Sequence, residues 1–235
     1  MTKDEVIREL ELYGNPDTKR ILMIHGACEP FYGIKVQDLK KIAKKVKQDY
    51  QLSLDLFETG NSDAMYLAGL IADAERMTKD DLQNWAQKAY WYMISEYTVA
   101  WIAAESNFGF ELALKWIDSK QENIASTGWS TLSSLVAIKE DEYFDMGKLK
   151  ELLSRVKSKI QLAPNRVKYT MNGYVISLGA SIVSLTEESM CVAKHIGKVH
   201  VDMGETACNV PFAPEYLQKI IDKGRVGKKR KTARC

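Results

Sequence analysis

The chain has 235 residues, of which 46% are hydrophobic and 27% are charged, with a formal net charge of +2. The apolar content supports a buried core, and the net charge is too small to establish a polyanionic partner by itself. No apolar run approaches the roughly 20 residues needed to cross a bilayer, so no membrane span is expected.

The N-terminus and the cysteines indicate a cellular compartment. Residues 1–10 form the start of an amphipathic helix with early acidic side chains, and they lack the apolar centre of a signal peptide. Cys28, Cys191, Cys208 and Cys235 are widely spread without CxxC spacing, which favours reduced thiols over disulfides. These features predict a cytoplasmic protein, associated with the nucleoid if it binds DNA.

Apolar residues recur with helical spacing along nearly the whole chain, at i, i+3, i+4 and i+7. This spacing predicts, in chain order, a helix that ends near Tyr13, a helix from about Thr18 to Gly26 and a helix over Val36–Tyr50. One helix follows a cap at 61–63 and another follows a cap at 78–81. Further helices are predicted over Glu96–Glu105, Phe108–Ile117, Asn123–Ile138, Asp145–Lys159, Asn165–Val183 and Glu187–Ile196, with a last short helix through Ile221. Helix pairs spaced by roughly 35–45 residues are typical of HEAT-type repeats. We therefore predict an all-α fold, a HEAT-like helical-repeat solenoid whose paired antiparallel helices build a curved superhelix.

We expect a single solenoid domain over residues 1–223 and a basic C-terminal tail over 224–235. The segment Lys198–Asp202 alternates in polarity and fits either one extended piece or a loop. The tail carries six cations and no acidic residue, among glycines. This pattern predicts a flexible arm that either contacts phosphates or only keeps the chain soluble.

The helix that begins at Val36 is rich in lysine. Lys40 with Lys44, and Lys41 with Lys45, form like-charge pairs at i, i+4, which slightly destabilise an isolated helix. A solvated lysine face is the plain explanation, and contact with phosphates is the alternative.

Two aromatic residues lie among small or polar neighbours. Tyr97 follows Ser95 and Glu96, and Trp129 stands between Gly128 and Ser130. Such rings can stack on exposed bases, although packing in a core is their commoner role.

The C-terminal third contains residues of the types that bind metals. Cys191 and His195 lie at i, i+4 on a predicted helix, followed by His200, Asp202 and Cys208. These residue types could bind zinc, but their spacing matches no zinc motif. The sequence also lacks a GxSxG motif and a glycine-rich phosphate loop. We therefore predict no metal and no cofactor.

Two segments, KRILMIHG at 19–26 and FYGIKVQDLKKI at 31–42, are followed by helical pairs up to about Leu185. In pattern and register this order of segments resembles the bacterial DNA alkylation repair (AlkD-like) family of HEAT-like repeat DNA glycosylases. The ending beyond Val199 resembles a divergent branch. The family implies a solenoid whose concave, positively charged face holds duplex DNA, and whose active members release cationic N3- or N7-alkylated purines without metal or cofactor.

The resemblance also implies an aspartate, two tryptophans and an arginine at the active site, since a carboxylate can stabilise the developing oxocarbenium ion. This chain departs from that pattern: a Ser-Trp-Trp-Asp-Ser-Val-Asp-like run corresponds to ISEYTVA at 94–100. The register places Ala100 at the aspartate, Glu96 or Tyr97 near the first tryptophan, Thr127 at the arginine and Tyr174 at the second tryptophan. Loss of the aspartate and the arginine together predicts weak or absent glycosylase activity.

Three functions remain open from the sequence. The first is a DNA-binding member of this family whose partner is duplex DNA, either damaged or branched. The second is an active alkylpurine glycosylase with a displaced carboxylate, for which Glu96 is the candidate, and the third is a helical-repeat scaffold that binds protein. The candidate DNA contacts are Lys40, Lys44, Tyr97, Trp129, Arg166, Lys168, Tyr174, Lys228, Lys229 and Arg230. If the first seven residues of this list converge on one concave face, DNA binding is favoured. If these side chains point in different directions, the protein-binding scaffold is favoured.

Overall fold

A computed structural model describes residues 1–234, which form thirteen α-helices and no β-strand. The predicted all-α fold is confirmed. The helices are α1 Lys3–Leu12, α2 Pro16–Ile24, α3 Val36–Val46, α4 Tyr50–Phe57, α5 Ser62–Ile71, α6 Lys79–Lys88, α7 Ala100–Glu105, α8 Gly109–Trp116, α9 Glu122–Ile138, α10 Met146–Lys159, α11 Asn165–Ser181, α12 Thr186–Ile196 and α13 Ala213–Asp222. A π-helical segment, Met93–Val99, leads directly into α7. No helix in the described part of the chain is long and apolar enough to span a membrane.

Polar side chains fix the helix starts that the sequence pattern indicates. Thr78 accepts a hydrogen bond from the N–H of Asp81, and the Asp81 carboxylate accepts one from the N–H of Thr78. At the start of α5, the side chain of Asn61 accepts from the N–H groups of Asp63 and Ala64. Each such cap contributes about 1 kcal/mol to helix stability, so these two starts are determined locally.

The helix predicted over Val36–Tyr50 is wrong at its C-terminal end. It stops at Val46, because Lys47 takes a left-handed conformation with φ of 65°. The chain restarts as α4, where the Asp49 side chain accepts from the N–H of Leu52. The apolar pattern runs through this break without a gap, so α4 is not predicted as a separate helix.

The alternating segment Lys198–Asp202 is a loop and not an extended strand. Asn165 Nδ2 donates to the carbonyl of Asp202 at 2.7 Å, and its Oδ1 accepts from the N–H of Asp202 at 2.7 Å. One amide side chain thus takes the place of a strand partner and holds the loop against the start of α11.

The helices form an inner and an outer row. The inner row consists of α3, α5, the π-helical segment with α7, α9 and α11, each in contact with the next. The outer row, α4, α6, α8, α10 and α12, packs behind it. Close approach is possible between α5 and the π-helical segment because a Cβ on Gly69 would lie only 2.5 Å from Cγ2 of Thr98. Alternating rows of this kind are expected of a helical-repeat protein.

The C-terminal tail is not the flexible arm that its composition predicts. The N–H of Arg230 donates to the carbonyl of Ala137 at 2.7 Å, and Ala233 is fully buried. Hydrogen-bond donors of the tail meet unpaired carbonyls at the ends of inner-row helices, and this contact orders it. Cys235 lies outside the described residues.

Candidate nucleic-acid interface

A cleft of about 280 Å³ has three walls: the π-helical segment together with α7, helix α9, and helix α11. Hydroxyl groups and aromatic rings line most of it, with one carboxylate, Glu96, and one arginine from the tail. Residues that carry these groups include Tyr97, Trp101, Ser130, Ser133, Tyr169 and Arg230. The helical residues share the cleft because positions three or four apart lie on one helix face. Uncharged hydroxyls that both donate and accept suit sugar, phosphate and base edges.

Tyr97 is the predicted aromatic contact that this cleft contains. Its ring is half-buried and meets Trp101 edge-on, with 5.6 Å between ring centroids and an interplanar angle of 77°. Burial raises the pKa of Tyr97 to about 12. The phenol is therefore neutral near pH 7, keeps its proton for donation, and does not repel a phosphate.

Glu96 is 5% exposed and is held by Arg166. Its Oε1 accepts from Arg166 Nε at 2.8 Å, and its Oε2 accepts from Arg166 Nη2. Burial raises the pKa of the Glu96 carboxyl, and the hydrogen bond and charge of Arg166 oppose that rise. Because the guanidinium engages both oxygens, the geometry gives no support to Glu96 as a displaced catalytic carboxylate.

Arg166 is committed to the protein rather than left for phosphate contact. Its Cζ lies 4.5 Å from the ring centroid of Tyr92 and 4.4 Å from that of Tyr169. The Tyr92 hydroxyl in turn lies 2.8 Å from Nδ1 of His25. A guanidinium that is ion-paired and stacked on two rings is stabilised where it is. This pairing disfavours a phosphate contact by Arg166, whose predicted role as a DNA contact stays a prediction.

Trp129 and Tyr174 belong to the core. They are 1% and 0% exposed, and their ring centroids lie 5.3 Å apart. Neither ring can stack on a base unless the core around it opens, so the predicted base contact of both residues is corrected.

Comparison with known proteins identifies the family to which this chain belongs. Residues 6–188 match the family described as DNA alkylation repair enzyme. The chain belongs to the DNA alkylation repair family. The resemblance that the sequence carries is thereby confirmed.

Relatives of this family member include two Listeria proteins and one solved structure. The uncharacterized proteins Lin0241 of Listeria innocua and Lmo0209 of Listeria monocytogenes are 32% and 33% identical, each over 93% of this chain and 97% of its own length. The solved structure has a TM-score of 0.93, 40% identity and complete coverage of both chains. It represents a new family of proteins related to the HEAT-like repeat DNA glycosylases with affinity for branched DNA structures. The predicted HEAT-like repeat fold is thus confirmed.

The structure buries the two positions that the sequence register assigns to the catalytic aspartate and arginine. Ala100 and Thr127, placed by the sequence at the aspartate and the arginine, are both fully buried. Trp101 and Ser130, a few residues further along, line the cleft instead. Trp101 is itself only 5% exposed, and the two replacements would need shifts of different length, so the register stays a prediction. Glu96 is the carboxylate that lines the cleft.

The lysines of α3 divide into two pairs. Lys41 and Lys45 form ion pairs with carboxylates of α3 and α1. Lys40 is half-buried and Lys44 exposed, and neither has an ion-pair partner within residues 1–234. They lie outside the cleft lining, but they are the charges on this helix that phosphate could still neutralise.

The remaining predicted DNA contacts also include both free cations and one cation that is ion-paired. Lys168 is half-buried beside Tyr169, and Lys228 and Arg230 are exposed; none of the three is ion-paired in the described structure. Lys229 is tied down, with Nζ 2.8 Å from Oδ1 of Asp141. Of the seven residues whose convergence would favour DNA, Tyr97 lines the cleft and the other six do not. The seven therefore do not converge on this cleft, which by that criterion favours the scaffold, although Arg230 of the tail also lines the cleft.

Several cleft residues were missed by sequence reasoning. Tyr169 and Trp101 stood among ordinary helix positions, and nothing in their spacing singled them out. The hydroxyl-rich run at 130–134 carried a usable signal, because clustered serines are unusual in an otherwise apolar helix.

Proposed function

We propose that this member of the DNA alkylation repair family binds branched DNA across the cleft and does not excise bases. The state of Glu96 carries the proposal. The carboxylate that lines the cleft is buried and bonded through both oxygens to Arg166. The hydroxyls, Tyr97 and Arg230 remain open to a nucleic acid. The affinity of the similar solved protein for branched DNA supports the same function.

The cleft chemistry favours a branch over an uninterrupted duplex. A linear duplex presents phosphates and base edges, while a branch point also exposes the faces of bases next to the junction. Aromatic side chains stack on exposed base faces without regard to sequence. The rings of Tyr97 and Tyr169 stand beside hydroxyls that can bond sugar and phosphate. This combination suits recognition of DNA shape.

Base excision lacks its chemical means in this cleft. A cationic alkylpurine is a good leaving group, and the protein must stabilise the developing oxocarbenium ion. The charge of Glu96 is already neutralised by Arg166 at both oxygens, which weakens its attraction for a second cation. The geometry therefore supports binding without excision.

One experiment separates the possible functions. Release of 7-methylguanine and 3-methyladenine from alkylated duplex is measured beside binding to a four-way junction and to a linear duplex of the same sequence. We expect no release above background and tighter binding to the junction at equal salt.

Each contrary result has a distinct meaning. Release that disappears in Glu96→Gln would restore the displaced-carboxylate glycosylase. Equal affinity for both DNAs would remove the preference for branches. Absence of binding to either DNA at low salt would favour the protein-binding scaffold.

A further inference from the structure

The C-terminal tail crosses the C-terminal ends of successive inner-row helices; residues 224–234 are called the strap below. The N–H of Gly227 donates to the carbonyl of Ala180, near the end of α11, at 2.9 Å. The N–H of Arg230 reaches the carbonyl of Ala137, near the end of α9. Gly227 has φ of 77°, a conformation that suits glycine where the strap turns.

The far end of the strap is fastened to α7 and α5. Glu105, the last residue of α7, accepts from the N–H of Ala233 at 2.8 Å, from the Thr232 hydroxyl, and from Arg234 Nε and Nη2 at 2.8 and 2.5 Å. Arg234 Nη1 also donates to three carbonyls at the end of α5, those of Gly69, Leu70 and Ala72. These carbonyls have no helical partner and carry partial negative charge, so a guanidinium is favoured there.

The cations of the strap fall into two classes. Lys229 and Arg234 are anchors: Lys229 Nζ donates to the carbonyl of Val136 at 3.0 Å and pairs with Asp141. Lys228, Arg230 and Lys231 are exposed and have no ion-pair partner within residues 1–234. Arg230 also lines the cleft that contains Tyr97.

We infer that the strap is a preorganised phosphate-binding surface, in which anchored cations hold the backbone and Lys228, Arg230 and Lys231 meet the phosphates of a strand that crosses the cleft. Fixing the backbone before DNA arrives removes an entropy cost that a mobile arm would bear on binding. Glu105 is the positioning residue, because it fastens the end of the strap and touches no phosphate. The inference rests on the proposed binding of DNA.

The first test removes the free cations. The plot of log K against log salt has a negative slope, to which each neutralised phosphate of duplex DNA contributes about 0.9. Loss of three contacts therefore makes the slope shallower by about 2.7. We expect this change for K228A/R230A/K231A with a four-way junction as probe. The matched control is K115A/K157A/K194A, which removes three exposed lysines from outer-row helices.

The outcomes separate the strap from the proposed function. An unchanged slope in the strap variant, or an equal fall in both variants, would overturn the inference while DNA binding itself stands. Failure of the unaltered protein to bind junction or duplex would instead overturn the proposed function.

The second test releases the strap without changing its charge. We expect Glu105→Ala to remove hydrogen-exchange protection from the amides of Gly227, Arg230 and Ala233, while amides of the inner-row helices stay protected. Junction binding should weaken several-fold at every salt concentration with no reduction in slope, because all the strap cations remain. Glu105→Gln keeps an acceptor for the backbone N–H groups and should recover part of both losses.

Two results would contradict preorganisation. Strap amides that exchange without protection in the unaltered protein would show that the strap is not docked. Unchanged junction affinity in Glu105→Ala, after protection is lost, would show that docking does not assist binding.

Discussion

Two carboxylates on one helical run each hold an arginine from a distant part of the chain, at different depths. Glu96 pairs with Arg166 of α11, and its side chain is 2% exposed; Glu105 pairs with Arg234 of the strap, and its side chain is 14% exposed. At both sites burial works to raise the carboxyl pKa. For Glu96 burial prevails, whereas hydrogen bonds from Arg234 and Thr232 bring the pKa of Glu105 below its ordinary value.

The difference in depth decides which neighbouring charges stay exposed to solvent. In the deeper pair, the carboxylate is almost completely buried and the guanidinium engages both of its oxygens. The shallower pair fastens a segment whose other cations stay exposed. In both cases the arginine is taken by the protein itself, and the number of cations open to DNA is smaller than the sequence suggests.

Breaking the deeper pair should have the largest effect. Arg166→Met leaves the Glu96 charge buried without a partner, and we expect the free energy of unfolding to fall by about 3–5 kcal/mol. Urea denaturation measures this loss. The double variant E96Q/R166M should recover much of it, because a neutral amide needs no counter-charge. A loss within about 0.5 kcal/mol, as for an ordinary surface change, would show that burial gives the deeper pair no special weight in stability.

Helical spacing and caps were enough to predict most helices and the HEAT-like fold, because those signals act within one or two turns. The two ion pairs were beyond such reasoning. Arg166 finds Glu96 across 70 positions of sequence, and Arg234 finds Glu105 across 129. A basic tail that docks and one that is free have the same composition.

Trp129 illustrates a second limit. Its small neighbours suggested an exposed ring, but small residues also let helices approach closely. A Cβ on Gly128 would lie only 2.8 Å from the backbone N of Ile117, and Trp129 is consequently packed in the core. Local composition cannot distinguish these two uses of small residues.

The cleft beside Glu96 offers the next largest effect. Tyr97→Ala removes a ring that can stack on a base, and we expect junction binding to weaken by about 1–3 kcal/mol. The salt slope should not change, because no charge is lost. Tyr97→Phe keeps the ring and should retain most of the affinity in the same titration. Equal losses in both variants would mean that the hydroxyl, and not stacking, contacts the DNA.

Breaking the shallower pair should cost less stability than breaking the deeper one. Glu105→Ala loses hydrogen bonds to a charged partner, and the free energy of unfolding should fall by about 1–2 kcal/mol. Urea denaturation beside Arg166→Met makes the comparison direct. A loss as large as that of Arg166→Met would mean that the strap is part of the core and not a fastened segment.

The pKa of Glu105 adds a pH test of the same contact. Its folded-state pKa is lowered, so its stabilising effect is complete above the ordinary glutamate value of about 4.3 and is lost as pH falls through the folded value. Hydrogen-exchange protection of the strap should therefore be constant near neutrality and decrease below pH about 4. Glu105→Gln should not show that decrease, and a decrease of equal size there would assign the acid effect to another group.

The smallest effect concerns α3, where the distinction between paired and free cations recurs on one helix. Lys40→Ala with Lys44→Ala removes two free charges, and the salt slope for junction binding should fall by about 1.8, or 0.9 for each contact. Lys41→Ala with Lys45→Ala removes two charges that are already neutralised by carboxylates. That variant should keep the slope and lose only slight affinity, because the uncovered carboxylates repel phosphate. Equal falls in both variants would mean that exposed ion pairs open when DNA arrives. In that case pairing alone would not withhold a cation from DNA, and burial, as at Glu96, would be what does.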